Sequence, residues 1–82
     1  MNETVQEVVG VLAALLDINP DSISEEDQLY DGLGLDSTKI IDLLLQLEIT
    51  CGIEFDMEEL EPEDLETVKS LSACIDAHKR AT

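Results

Sequence analysis

With 82 residues, 20 of them acidic and four basic, the chain carries a formal charge of -16; its length allows one ordinary core but neither a second domain nor a roomy enclosed active site. That charge repels the phosphate backbone of nucleic acid and an anionic membrane surface alike, so neither is an expected partner, whereas a basic protein surface is attracted. Aromatic residues make up 2%, Tyr30 and Phe55 alone, which leaves Leu, Ile, Val and Ala to form the core and favours packed helices over a sandwich or barrel.

From Thr4 to Leu16, apolar residues recur at Val5, Val8, Val9, Leu12, Leu15 and Leu16, the spacing of a helix with one buried face. Thr4 and Glu7 have capping-box spacing at its start. The first residues, Met1-Asn2-Glu3-Thr4, are acidic, and the longest apolar run, Val11 to Leu16, falls far short of a membrane span. A soluble cytoplasmic protein is the expectation. The helix should stop near Asp17, because Asn19-Pro20 disfavours continuation and Asp21-Ser22 suits a turn.

A long connection follows, from Ile18 to Asp36, acidic and punctuated by Gly32 and Gly34, with Ile23, Leu29, Leu33 and Leu35 as apolar anchors. A connection of this length calls for a function or packing of its own. Asp27-Gln28-Leu29-Tyr30-Asp31-Gly32 begins like a calcium loop, but Leu29 stands at the third ligand position and Thr38 at the twelfth, where a glutamate is needed. Gly32-Leu33-Gly34 lacks both the spacing and the lysine of a phosphate-binding loop.

The second helix is expected from about Ser37 to Cys51, with Asp36 as N-cap and Gly52 as the C-terminal stop. At about 100° per residue, Ile40, Leu43, Leu44, Leu47 and Cys51 share one arc, which suffices as a core stripe. Ile41 and Leu45 lie on another side, next to Thr38, Asp42 and Ile49, and Glu48 adds a second carboxylate beside them. An exposed apolar strip edged with acid suits a partner that is apolar in the middle and basic around it. The plainer reading is that a loop or a short third helix covers Ile41 and Leu45.

Phe55 to Glu66 is an acidic stretch holding Leu60, Pro62 and Leu65, read as a short helix or turn with Pro62 in its first turn. The last helix is expected to begin near Thr67 as N-cap, and it places Val68, Leu71, Ile75 and His78 at helical spacing; Lys79 and Arg80 near its end oppose the negative pole of the helix dipole. Cys51 and Cys74 form no CxxC, and one histidine gives no ligand set for zinc. They read as free, partly buried thiols in a reducing compartment.

Leu33-Gly34-Leu35-Asp36-Ser37 places a serine in the first turn of a helix, where unpaired backbone N–H groups and the positive end of the dipole favour an attached anion such as a phosphodiester. On these residues alone, Asp36-Ser37 reads first as a helix cap. No local base equips Ser37 as a hydrolytic nucleophile, and no triad is evident, so the chain is not expected to be an enzyme.

This five-residue stretch, followed by the Leu-rich helix through Leu47-Glu48, resembles the attachment motif of acyl carrier proteins. The resemblance extends over nearly the whole chain, through the long acidic loop, the acidic third segment and Glu66-Thr67-Val68 at the start of the last helix. It implies an all-α fold, a small four-helix bundle of three main helices and a short third one, with a long loop between the first two and a single domain over residues 1–82. It implies that Ser37 receives 4'-phosphopantetheine from coenzyme A through a separate, magnesium-dependent phosphopantetheinyl transferase, with Asp36 as the neighbouring motif residue. The thiol of that arm then carries acyl or aminoacyl groups as thioesters in fatty acid, polyketide or nonribosomal-peptide type biosynthesis.

The resemblance also makes Thr38, Ile41, Asp42, Leu45 and Glu48 the face that meets loading, condensing and transferase enzymes with basic docking surfaces, the chain itself being a monomer. Two positions depart from the family pattern, Thr38 where Leu is usual and Lys39 on a helix usually acidic at its start, and both bear on partner choice. Asp36 separates the chain from typical peptidyl carrier domains, which commonly have His or another residue before the serine, though stand-alone aminoacyl carriers can have Asp. The alternative reading is an unmodified acidic helical module that binds a basic protein, with Ser37 as nothing more than a cap residue.

Overall fold

In the computed structural model, which describes residues 3–56, 58 and 60–80, the first helix, α1, spans Glu3–Leu16 and turns Val5, Val8, Val9, Leu12 and Ala13 inward. It ends where Asp17 enters the left-handed region at φ 55° and the Ile18 N–H donates back to the Ala13 carbonyl at 3.0 Å. A short acidic side chain tolerates that conformation better than most non-glycine residues. Asn19 then accepts from the Asp21 N–H at 2.9 Å and opens a 3-10 turn over Pro20–Ser22.

The connection to the next helix has its own packing, as its length demanded. Ile23, Leu29 and Leu35 are buried in the main core, and the Gln28 carbonyl accepts from the N–H groups of Gly32 (3.0 Å) and Leu33 (2.8 Å). A Cβ at Gly32 would lie 2.7 Å from that same carbonyl oxygen, so the turn closes only around glycine. The loop also serves the last helix, because the carbonyls of Asp27 and Glu25 accept from Val68 N–H (3.1 Å) and Lys69 N–H (2.8 Å). Two of the donors that every helix leaves open at its start are thereby satisfied.

This arrangement separates two glycines by consequence. Gly32→Ala is expected to destabilise the fold by about 1–3 kcal/mol, because the clash is with backbone and has no flexible end to move. Gly10→Ala, on α1 where an added Cβ meets nothing within 4 Å, should instead stabilise by up to about 1 kcal/mol through helix propensity. Urea titrations of the two variants check the opposite signs.

Helix α2 spans Ser37–Cys51. The Asp36 carboxylate accepts from the Lys39 N–H at 2.9 Å, and Gly52 ends the helix at φ 68°. Among the described residues between α2 and the last helix lies one 3-10 turn, Pro62–Leu65, with Pro62 at its first position. The short third helix of the expected bundle is, among the described residues, this turn, and Met57 and Glu59 of the Phe55–Glu66 stretch lie outside them. Leu60 and Leu65 pack partly against the core on either side of Pro62.

Helix α3 spans Val68–Arg80 and buries Val68, Leu71, Ser72 and Ile75. Thr67 and Ser70 cap its start reciprocally: Ser70 N–H donates to Thr67 Oγ1 at 3.1 Å and Thr67 N–H to Ser70 Oγ at 3.0 Å. Among the described residues no helix is long and apolar enough to cross a membrane.

Thr4 and Glu7 are not the capping box their spacing suggested. Thr4 lies inside α1, and both side chains reach α3: the Thr4 hydroxyl donates to Asp76, and Lys79 Nζ sits 2.9 Å from Glu7 Oε1. The Lys79 hydrogen bond holds the Glu7 carboxyl below its ordinary pKa, while Cys51 Sγ donates to Glu7 Oε2 at 3.3 Å. Burial first, then the Glu7 carboxylate, pushes the Cys51 thiol up to about 11, and burial also raises Cys74. Both cysteines are free thiols. Alkylation of Cys51 by iodoacetamide at mildly alkaline pH should therefore be at least about tenfold slower in the native chain than in urea, because the thiolate is the reacting species, and that of Cys74 should be slowed in the same direction. Intact mass against time reads both thiols at once.

Candidate functional site at the start of α2

Three local features fix the turn that presents Ser37. Leu35 is buried and ties the chain to the core, and its N–H donates to the Leu29 carbonyl at 3.0 Å. Gly34 takes the left-handed conformation at φ 72°, and Asp36 spends its carboxylate on the helix as the cap. Ser37 follows as the first residue of α2 and is exposed. The cap role that the Asp-Ser pair suggested is therefore filled by Asp36.

The first intrahelical bond of α2 is Ile40 N–H to the Asp36 carbonyl at 2.9 Å. The N–H groups of Ser37 and Thr38 precede it, at the positive end of the helix dipole. An anionic diester on the Ser37 oxygen fits this setting: the hydroxyl is accessible, the helix start favours negative charge, and no core contact is displaced. The residues give Ser37 no local base. His78, the sole histidine, packs edge-on against Phe55 with ring centroids 5.5 Å apart, and its Nδ1 lies 2.9 Å from the Cys74 carbonyl oxygen.

Along α2 the two predicted faces separate cleanly. Ile40, Leu43, Leu44 and Leu47 are at most 4% exposed, whereas Ile41 is 50%, Leu45 52% and Ile49 78% exposed. Thr38 and Asp42 are exposed beside them. No described segment covers the strip. A hollow of about 240 Å³ lies along one edge of it, lined by Ile41, Leu44, Leu45, Glu48 and Phe55.

Glu48 stands apart from the other members of this face. It is half-buried, and its carboxylate accepts from the Phe55 N–H at 2.8 Å. Ile49 is the more exposed neighbour, and its place four residues after Leu45 was the available signal. A groove of about 600 Å³ between α1 and α2, lined by Gly10, Val11, Ala14, Leu15, Gln46 and Thr50 among others, had no counterpart in the pattern reading.

The family described as "Phosphopantetheine attachment site" matches residues 6–75. An acyl carrier protein of Zymomonas mobilis is 32% identical over 79 residues, covering 96% of this chain and 99% of the relative. The chain belongs to the acyl carrier protein family. Another acyl carrier protein, from Coprothermobacter proteolyticus, is 32% identical over 73 residues, covering 89% of this chain and 87% of the relative. The fold is similar to the solution NMR structure of a holo acyl carrier protein from Nitrosomonas europaea, with a TM-score of 0.80 at 21% identity, covering 99% of this chain and 100% of that one. The cofactor of this acyl carrier protein family member is 4'-phosphopantetheine. Members of the family are carriers and not catalysts, served by a phosphopantetheinyl transferase and by biosynthetic enzymes.

Proposed function

We propose that Ser37 is the attachment residue, and that the chain, as one carrier domain over residues 1–82, holds acyl or aminoacyl intermediates of a fatty acid, polyketide or nonribosomal-peptide type pathway. The exposure of Ser37 at the first position of α2, beside a cap supplied by Asp36, is the observation that carries this reading. When bound, the group supplies a flexible arm whose terminal thiol holds cargo as a thioester. Ser37 would contribute the oxygen that takes the phosphopantetheinyl group as a phosphodiester, the pyrophosphate bond of coenzyme A breaking so that its adenosine 3',5'-bisphosphate leaves, and removal of the serine proton falls to the transferase. Asp36 holds the turn, and the start of α2 stabilises the resulting negative charge.

The partner face is Thr38, Ile41, Asp42 and Leu45, with Glu48 half-buried at its edge and turned to the Phe55 N–H, and it meets enzymes whose surfaces are basic around an apolar centre. The strong negative charge supports fast encounter with such surfaces. Free thiols at Cys51 and Cys74 support a cytoplasmic, reducing setting. Intact mass after incubation with coenzyme A and a broad-specificity phosphopantetheinyl transferase tests the carrier role: a gain of one arm is expected. An unchanged mass would favour the unmodified acidic module.

A further inference from the structure

The strip on α2 is not uniform along its length. Its first half holds the charges, with Asp36 at the cap, Lys39 in the first turn and Asp42 exposed. From Leu43 to Gly52 the only charged residue is Glu48, and its carboxylate is drawn toward the segment after the helix by the Phe55 N–H at 2.8 Å. In its place the helix presents Ile49, 78% exposed and the most exposed large apolar side chain among the described residues. Ile41, Leu45 and Ile49 follow one another at four-residue spacing, so they form a continuous aliphatic ridge.

An exposed aliphatic ridge without charge stands out on a chain of net charge -16, and the charge pattern selects what covers it. A second copy would bring an equal negative charge against the first, which opposes self-association along this face. A partner that is basic everywhere would have to desolvate cations opposite Leu45 and Ile49 with no anion to receive them. We infer that this face fits a different protein whose docking surface is divided: a basic side chain opposite Asp42 near the serine, and an uncharged apolar hollow that receives Leu45 and Ile49. Ile49 is then a specificity-determining residue and Glu48 an internal support. Twelve residues of helix place Ile49 about 18 Å from Ser37 along the axis, inside the roughly 30 Å span of an ordinary protein interface centred between them.

This inference rests on the carrier reading, and the experiment separates the two. The rate of arm attachment by a broad-specificity phosphopantetheinyl transferase is measured for the wild type, Ile49→Glu, Ile49→Ala, Glu48→Gln and Asp42→Asn, at low and at high salt. Ile49→Glu should lower kcat/KM by at least about fivefold through KM, with Ile49→Ala smaller in the same direction and both melting temperatures unchanged. Asp42→Asn should slow attachment at low salt and little at high salt, whereas Glu48→Gln should leave the rate within about twofold at either. Ile49→Glu modified as fast as the wild type, Glu48→Gln as slow as Asp42→Asn, or a wild type that is dimeric through this ridge would each overturn the divided surface while leaving the carrier reading intact. A wild type that gains no arm overturns the carrier reading and this inference with it.

Discussion

Ser37→Ala is expected to abolish gain of the phosphopantetheine arm while leaving the melting temperature almost unchanged. The hydroxyl is the proposed attachment atom, so its loss is absolute, not graded. Its side chain is exposed at the first position of α2, alanine is the best helix former, and the bond that closes the helix start is made by Asp36. Asp36→Ala should show the contrasting pattern, a cost of about 1 kcal/mol from the lost cap, with Ser37 still present and attachment slowed by a less fixed turn. Intact mass after the transferase reaction, read beside thermal melts, distinguishes the variants. Retention of the arm by Ser37→Ala would place the attachment elsewhere.

The second large effect is a reversal between adjacent leucines. Leu44 is 3% exposed and Leu45 52% exposed, although the sequence places them side by side in a run of three. Leu44→Ala should cost about 2–5 kcal/mol, as a truncation within a packed core that closes only partly over the gap. In a domain of this size that is a large share of the total stability. Leu45→Ala should cost less than about 1 kcal/mol. Function should rank the other way, with arm attachment slowed more by Leu45→Ala than by Leu44→Ala wherever the latter remains folded. Asp42→Lys should add a defect that is greatest at low ionic strength, where steering toward a basic surface is least screened. Denaturant titration gives the stability ranking and transferase kinetics the functional one; equal instability of the two leucine variants would remove the distinction between core and strip.

These outcomes connect to how the chain encodes its structure. The split between Ile40, Leu43, Leu44 and Leu47 on one side and Ile41, Leu45 and Ile49 on the other follows from helical phase, a property of neighbouring residues. Phase alone left open whether something folds back over the second group. The exposures of Ile41, Leu45 and Ile49 show that among the described residues nothing does.

Sequence by itself determined the three α-helices, their apolar stripes, the Asp36 cap, the Gly52 stop, the Thr67 start of α3 and the serine at the head of α2, because each is set by side chains within one or two turns of each other. Tertiary structure decided what depends on partners distant along the chain. Thr4 and Glu7 have the spacing of a cap, yet they bind Asp76 and Lys79 more than 70 residues away. Glu48 looked like an outward carboxylate until the chain beyond Gly52 brought the Phe55 N–H to it. Gly32 reads as one loop glycine among several until the backbone of Gln28 closes on it. Local periodicity fixes which way a side chain leaves its helix, but a hydrogen-bond partner or a closing backbone from another segment exists only after the helices have packed.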